Sequence, residues 1–127
     1  MPAKHLYLNS RFEFYRVDIS KIVYFEADSN FTNFMLVNRQ KGVVCMNLTK
    51  TQSLLTQNLK EQASMFARLG KRFIINLTFV YHIDILKQKL LLSDGATFAY
   101  LLPVSKEALK KLRDLYVASG SRSENKG

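Results

Sequence analysis

Two neighbouring segments limit the fold more than any other feature of the chain. Ile22-Val23-Tyr24-Phe25-Glu26-Ala27 places Val23, Phe25 and Ala27 on one face of an extended strand, yet Ile22 and Tyr24 on the other face are also large. Residues 31–37 repeat the pattern, with Phe34 and Leu36 opposing Phe31, Met35 and Val37. Side chains alternate across a strand, so a sheet with one wet face needs a polar residue at nearly every second position. These strands lack them. They suit an inner layer covered from both sides, and the architecture they predict is a stack of small sheets.

The remaining segments are short. Leu6-Tyr7-Leu8 and Phe12-Glu13-Phe14-Tyr15 read as strands parted by a hairpin-like Asn9-Ser10-Arg11. Asn38-Arg39-Gln40-Lys41-Gly42 reads as a turn, with a strand over residues 43–48. Residues 49–62 change period, with Leu55 and Leu59 four apart and Leu54 beside them. This predicts a short amphipathic helix with Thr49 as N-cap. Alternation returns over residues 79–86. Leu90-Leu91-Leu92 and residues 98–102 flank Ser93-Asp94-Gly95-Ala96, whose Asp-Gly is the strongest hairpin signal in the chain. Pro103 ends that strand because it has no amide hydrogen for a ladder. Ser105 then caps a last helix. Ala108, Leu109, Leu112, Leu115 and Tyr116 form its buried stripe, and Lys106, Lys110, Lys111 and Arg113 hold much of the rest. From Ala118 the chain is small and polar, and no internal repeat is present.

A chain of 127 residues, 47% of them hydrophobic, is enough for one domain with a working core. Cys45 is the single cysteine, which excludes an intramolecular disulfide and a thiolate cluster; set among Val43, Val44 and Met46, it reads as a small buried thiol. Neither a signal peptide nor a spanning segment is evident, so the expectation is a soluble, reduced, cytoplasmic protein with no membrane partner.

Enzyme chemistry finds no footing. His5 and His82 are the only histidines, far apart in sequence, and there is no phosphate loop or nucleophile elbow. Glu26 and Asp28 read as ordinary strand-end acids. No catalytic residue, metal ligand or cofactor is expected. The charge is more informative: 19 Lys and Arg against 10 Asp and Glu, net +9, point to a polyanionic partner.

Three of those cations crowd one short segment, FARLGKRFIINL, residues 66–77. Arg68, Lys71 and Arg72 surround Gly70 and run straight into Phe73, Ile74 and Ile75. Anchoring the apolar run in the core would hold the cations on a short tether, and glycine would let the backbone turn and approach a partner closely. Fixed cations lose less entropy on binding than free ones. On the segment alone, a solvated basic loop is the favoured reading, and only the ordered set of motifs that follows reverses it.

Three motifs in order then carry a resemblance. They are Tyr24-Phe25-Glu26-Ala27 with Asn30-Phe31-Thr32, Phe66-Ala67-Arg68 through Ile74-Ile75-Asn76-Leu77, and Pro103-Val104-Ser105-Lys106. Over residues 6–116 the chain resembles the LytTR family of bacterial DNA-binding domains, found in response regulators and other transcription regulators. The resemblance implies a mainly β domain, an elongated stack of small, mostly antiparallel sheets with two short helices, over residues 1–117, and a flexible polar tail over 118–127. It implies sequence-specific binding of double-stranded DNA by loop side chains entering successive major grooves. Carried over by position, the DNA-binding residues are Asn30 and Thr32 in the first loop, Lys71 at a base with Arg68 and Arg72 on phosphates in the second, and Ser105 and Lys106 in the third. Relatives often have His-Arg-Ser where this chain has Gly70-Lys71-Arg72, and arginine at the position of Lys106. Asn76 is assigned to loop architecture. The partners implied are imperfect direct repeats, a second copy of the domain on DNA, and a receiver domain or sensor kinase upstream; the chain is either a stand-alone regulator or the C-terminal effector of a longer one. Two other uses of a basic β module remain open on the residues themselves: RNA binding, and an anionic membrane or protein surface met by the last helix.

Overall fold

The computed structural model describes residues 5–118. Ten strands form three antiparallel sheets. A two-stranded ribbon pairs β1 (His5–Asn9) with β2 (Phe14–Asp18). Five strands make the central sheet: β3 (Ile22–Asp28), β4 (Phe31–Leu36), β5 (Lys41–Val44), β6 (Phe66–Leu69) and β7 (Phe73–Asn76), in the order β5-β4-β3-β7-β6. The third sheet orders β10 (Ala99–Pro103), β9 (Lys89–Ser93) and β8 (Val80–Asp84). Helix α1 (Leu48–Leu59) follows β5, and α2 (Lys106–Ala118) follows β10.

The central sheet is covered on both faces, as its two-sided strands require. One core joins Ile22, Phe25, Phe34 and Ile74 to Leu6, Leu8 and Val17 of the ribbon and to Leu48, Leu55 and Leu59 of α1. The other joins Val23, Tyr24, Phe73 and Ile75 to Leu90, Leu92 and Leu102 of the third sheet and to Leu109 and Leu112 of α2. A register shift between Ile22 and Tyr24 lets consecutive large residues of β3 divide between these cores. Each such side chain, fully buried, is worth about 1.5–3 kcal/mol of transfer free energy. Burial pushes the Tyr24 phenol up to about 12, with Glu26 and Tyr100 adding to the effect, so it enters the second core uncharged.

Several local expectations need correction. The turn before β5 ends earlier than its composition suggests. Gly42 lies inside β5, opposite Phe34, and a Cβ there would sit 2.1 Å from the Phe34 ring. The strand ends at Val44, which leaves Cys45 exposed in the bend before α1 and not buried. Asn47, not Thr49, caps α1: its Oδ1 accepts the Lys50 amide at 2.8 Å. The helix stops at Leu59 because Lys60 takes φ +52°, and residues Lys60–Met65 continue as a 3-10 turn. In α2, Leu109 and Leu112 are buried, but Leu115 stays 54% exposed. The Asp94-Gly95 hairpin forms as its sequence predicts, with Gly95 at φ +85°. The Asp94 carboxylate accepts from Thr97 Oγ1 and from the amides of Ala96 and Thr97, which hold it well below the usual carboxylate range. Ser105 caps α2, its Oγ accepting the Ala108 amide at 3.2 Å. Ala118 closes α2, and the rest of the expected polar tail, 119–127, lies outside the described residues.

Candidate nucleic-acid interface

Strand order brings two of the three expected loops together. The β3–β4 hairpin turns through Ser29 and Asn30, closed by the Asp28–Phe31 pair. The β6–β7 hairpin turns through residues 70–72, closed by Leu69–Phe73. Because β3 pairs with β7, both turns lie at the same end of the sheet, and the Ala27 amide donates to the Arg72 carbonyl at 2.8 Å. Both tips bend through the left-handed region, at Ser29 (φ +57°) and Gly70 (φ +61°). Phe73, Ile74 and Ile75 are all buried, so the basic tip is clamped directly to the core.

The three cations of this tip have different surroundings. Lys71 is exposed and makes no hydrogen bond or ion pair among the described residues. Arg72 donates from Nε and Nη2 to one carboxylate oxygen of Glu26, at 2.9 and 2.8 Å, and its guanidinium lies 5.0 Å from the Phe73 ring centre. Arg68 is a clasp. Its Nε donates to the Gly70 carbonyl at 2.8 Å, and its Nη1 donates to Gln52 Oε1 at 2.9 Å and to Thr49 Oγ1 at 3.4 Å, both on the first turns of α1. The two N–H groups on Nη2 keep no partner among the described residues.

In the first loop, Asn30 is exposed and its side chain has no partner among the described residues. Thr32 has to be corrected. It is wholly buried, its hydroxyl donating to the Met46 carbonyl at 2.9 Å and accepting from Thr51 Oγ1 at 3.2 Å. The physical reason is register. Thr32 lies two residues from Phe34, on the same face, and that face packs under α1. Its hydroxyl therefore joins the hairpin to the bend that begins α1.

Ser105 and Lys106 are exposed at the start of α2, in a different layer, and no hydrogen bond joins them to either hairpin tip among the described residues. The Val104 amide donates to the Gln88 carbonyl, which sets this turn beside the β8–β9 loop. Asn76 has the architectural role expected: fully buried, it donates from Nδ2 to the Ile22 carbonyl at 2.8 Å and accepts from the Thr78 amide and hydroxyl. Asp28 accepts from Asn33 Nδ2 at 3.2 Å, so the two strand-end acids are each engaged locally. The contribution of Glu26 and α1 to holding the arginines is invisible in the sequence, because it depends on which elements pack together.

Among the described residues no three His, Cys, Asp or Glu side chains converge as a metal site, and no helix is long and apolar enough to cross a membrane.

The scaffold is layered β, and at one end it displays a clamped basic hairpin tip beside a polar one. The family of LytTr DNA-binding domains matches residues 13–116, and the chain belongs to that family. Among solved structures, it is similar to the LytTr DNA-binding domain of a "methyl-accepting/DNA response regulator" from Bacillus cereus, at 23% identity and TM-score 0.63, over 89% of this chain and 96% of that one. At this identity the likeness is one of fold: three antiparallel sheets with two helices. A search of curated proteins found no match.

Proposed function

We propose that this domain reads double-stranded DNA with side chains from its loops. Asn30 and Lys71, at adjacent tips, enter one major groove; Arg68 and Arg72 hold the flanking phosphates; Ser105 and Lys106 reach the next groove. Thr32 supports its hairpin from beneath. Two copies side by side on imperfect direct repeats complete the unit that regulates transcription. The observation that carries this reading is the shared end of the two hairpins, where Lys71, without a partner among the described residues, stands between two arginines whose orientation is already fixed. Phosphate contacts by such a set dominate affinity and make it fall with salt, while the few base contacts carry discrimination of about 1–3 kcal/mol each.

The test is selection of bound duplexes from a random pool, followed by titration of the recovered sequence and a scrambled one. Lys71→Ala should lose discrimination between the two. Lys110→Ala, on the exposed side of α2, should lower only overall affinity and the salt slope, by up to about 1. Equal losses for both variants on both duplexes, or preference for single-stranded RNA over any duplex, would refute the loop assignment.

A further inference from the structure

We propose that the tip of the β1–β2 hairpin, Arg11-Phe12, is a further duplex-contacting element, lying beyond the loops the sequence motifs mark; the inference rests on the DNA-binding reading above.

The two ends of this ribbon can be located against the central sheet. At its open end, the Val37 amide donates to the Lys21 carbonyl at 2.9 Å, beside the β4–β5 turn. At the other end, Leu8, Asn9, Ser10 and Tyr15 share a crevice with Val43, Val44 and Cys45. Val44 pairs with Thr32, next to the Ser29-Asn30 turn. The Ser10–Glu13 turn therefore points to the same end of the molecule as Asn30 and Lys71.

Phe12 is 86% exposed, more than any other large apolar side chain described. The Arg11 guanidinium lies 5.2 Å from the centre of its ring, a contact worth about 0.5–1 kcal/mol at an exposed site. Glu13, the acid of this turn, is directed back along the strand, its carboxylate accepting from the Tyr15 hydroxyl at 2.7 Å. A ring and a guanidinium presented together suit a nucleic-acid backbone: the cation on a phosphate, the apolar face on the deoxyribose wall of the minor groove. Packed sheets are about 10 Å apart. The tip would therefore meet the duplex outside the groove entered by Asn30, to one side of it.

The experiment uses the full chain and the duplex recovered by selection. Arg11→Gln and Phe12→Ala should each weaken binding about five- to tenfold. Arg11→Gln should also lower the salt slope by about 1. The same variant should abolish ethylation interference at phosphates beyond one edge of the site. Tyr7→Ala, on the flat outward face of the same ribbon, should bind as the parent does. Phe12 is too exposed for its loss to disturb folding, and an unchanged thermal melt checks this. If the parent binds and neither tip variant changes affinity, slope or interference, the tip is not a contact, and the groove reading stands without it. The tip is equally ruled out if Tyr7→Ala is as damaging, or if Phe12→Ala alters only self-association. If the parent binds no duplex, the groove reading itself fails.

Discussion

Replacing Glu26 with glutamine isolates the carboxylate that pairs with Arg72 at the basic tip. Arg72 gives two N–H groups to a single Glu26 oxygen, with the side chains 58% and 27% exposed. Such a part-exposed pair contributes about 0.5 kcal/mol to stability, so Glu26→Gln should melt within a few degrees of the parent. Its effect on binding is larger. A phosphate taking the open edge of the guanidinium would sit about 7 Å from the carboxylate, one hydrogen bond on either side. The repulsion across that distance is about 0.6 kcal/mol in water and about 2.4 at an effective dielectric of 20. For groups this exposed, about 1 kcal/mol is the appropriate value, or fivefold in affinity. Glu26→Gln should therefore tighten binding to a scrambled duplex about fivefold and steepen the salt slope by about 1. The selected sequence should gain less, because a glutamine holds the guanidinium less firmly and the preset geometry is partly lost. The readout is fluorescence anisotropy on both duplexes at several salt concentrations. An unchanged or weaker affinity for the scrambled duplex, with a flatter slope, would refute the idea that Glu26 restrains a phosphate-binding arginine.

Two predictions concern the support of the tips. Thr32→Val keeps the shape and removes the donor to the Met46 carbonyl, while Thr51 keeps its bond to the Asn47 carbonyl. It should destabilise by about 1–2 kcal/mol in urea titration and leave the selectivity of the folded protein intact; full stability with lost selectivity would return Thr32 to the groove. Gly42→Ala must displace the buried Phe34 ring, which also meets Tyr15 edge-on at 5.2 Å, and should lower the free energy of unfolding by about 3 kcal/mol. A loss below about 0.5 kcal/mol, the size of an ordinary surface substitution, would mean that the ring has room to move aside.

Much of the fold is legible in the sequence because its signals are local. Apolar residues on both faces of β3 and β4 require two cores, and two cores are present. Asp94-Gly95 specifies its own turn, and the cations around Gly70 abut a run that is indeed buried. The departures involve partners distant in sequence. Gly42 has the composition of a turn, and only the ring of Phe34 opposite explains a glycine inside a strand. Cys45 falls one residue past the end of its strand, and there a shift of one decides which way a side chain points.

Thr32 is the more instructive case, since the sequence holds the means to place it. Residues two apart in a strand share a face, and Phe34 fixes that face as the core side. Family position argues for contact and periodicity for burial, and the hydroxyl's two internal hydrogen bonds agree with periodicity. The same logic works in reverse at Arg11-Phe12. They precede the matched stretch of residues 13–116 and lie in none of the three motifs, and in sequence they look like one more aromatic strand start. Yet β2 begins at Phe14, which leaves Phe12 in the turn with no sheet face to bury it. A large ring to which the fold gives no cover is open to a partner from outside the fold, and the end of the molecule on which it stands already displays Lys71 and Asn30.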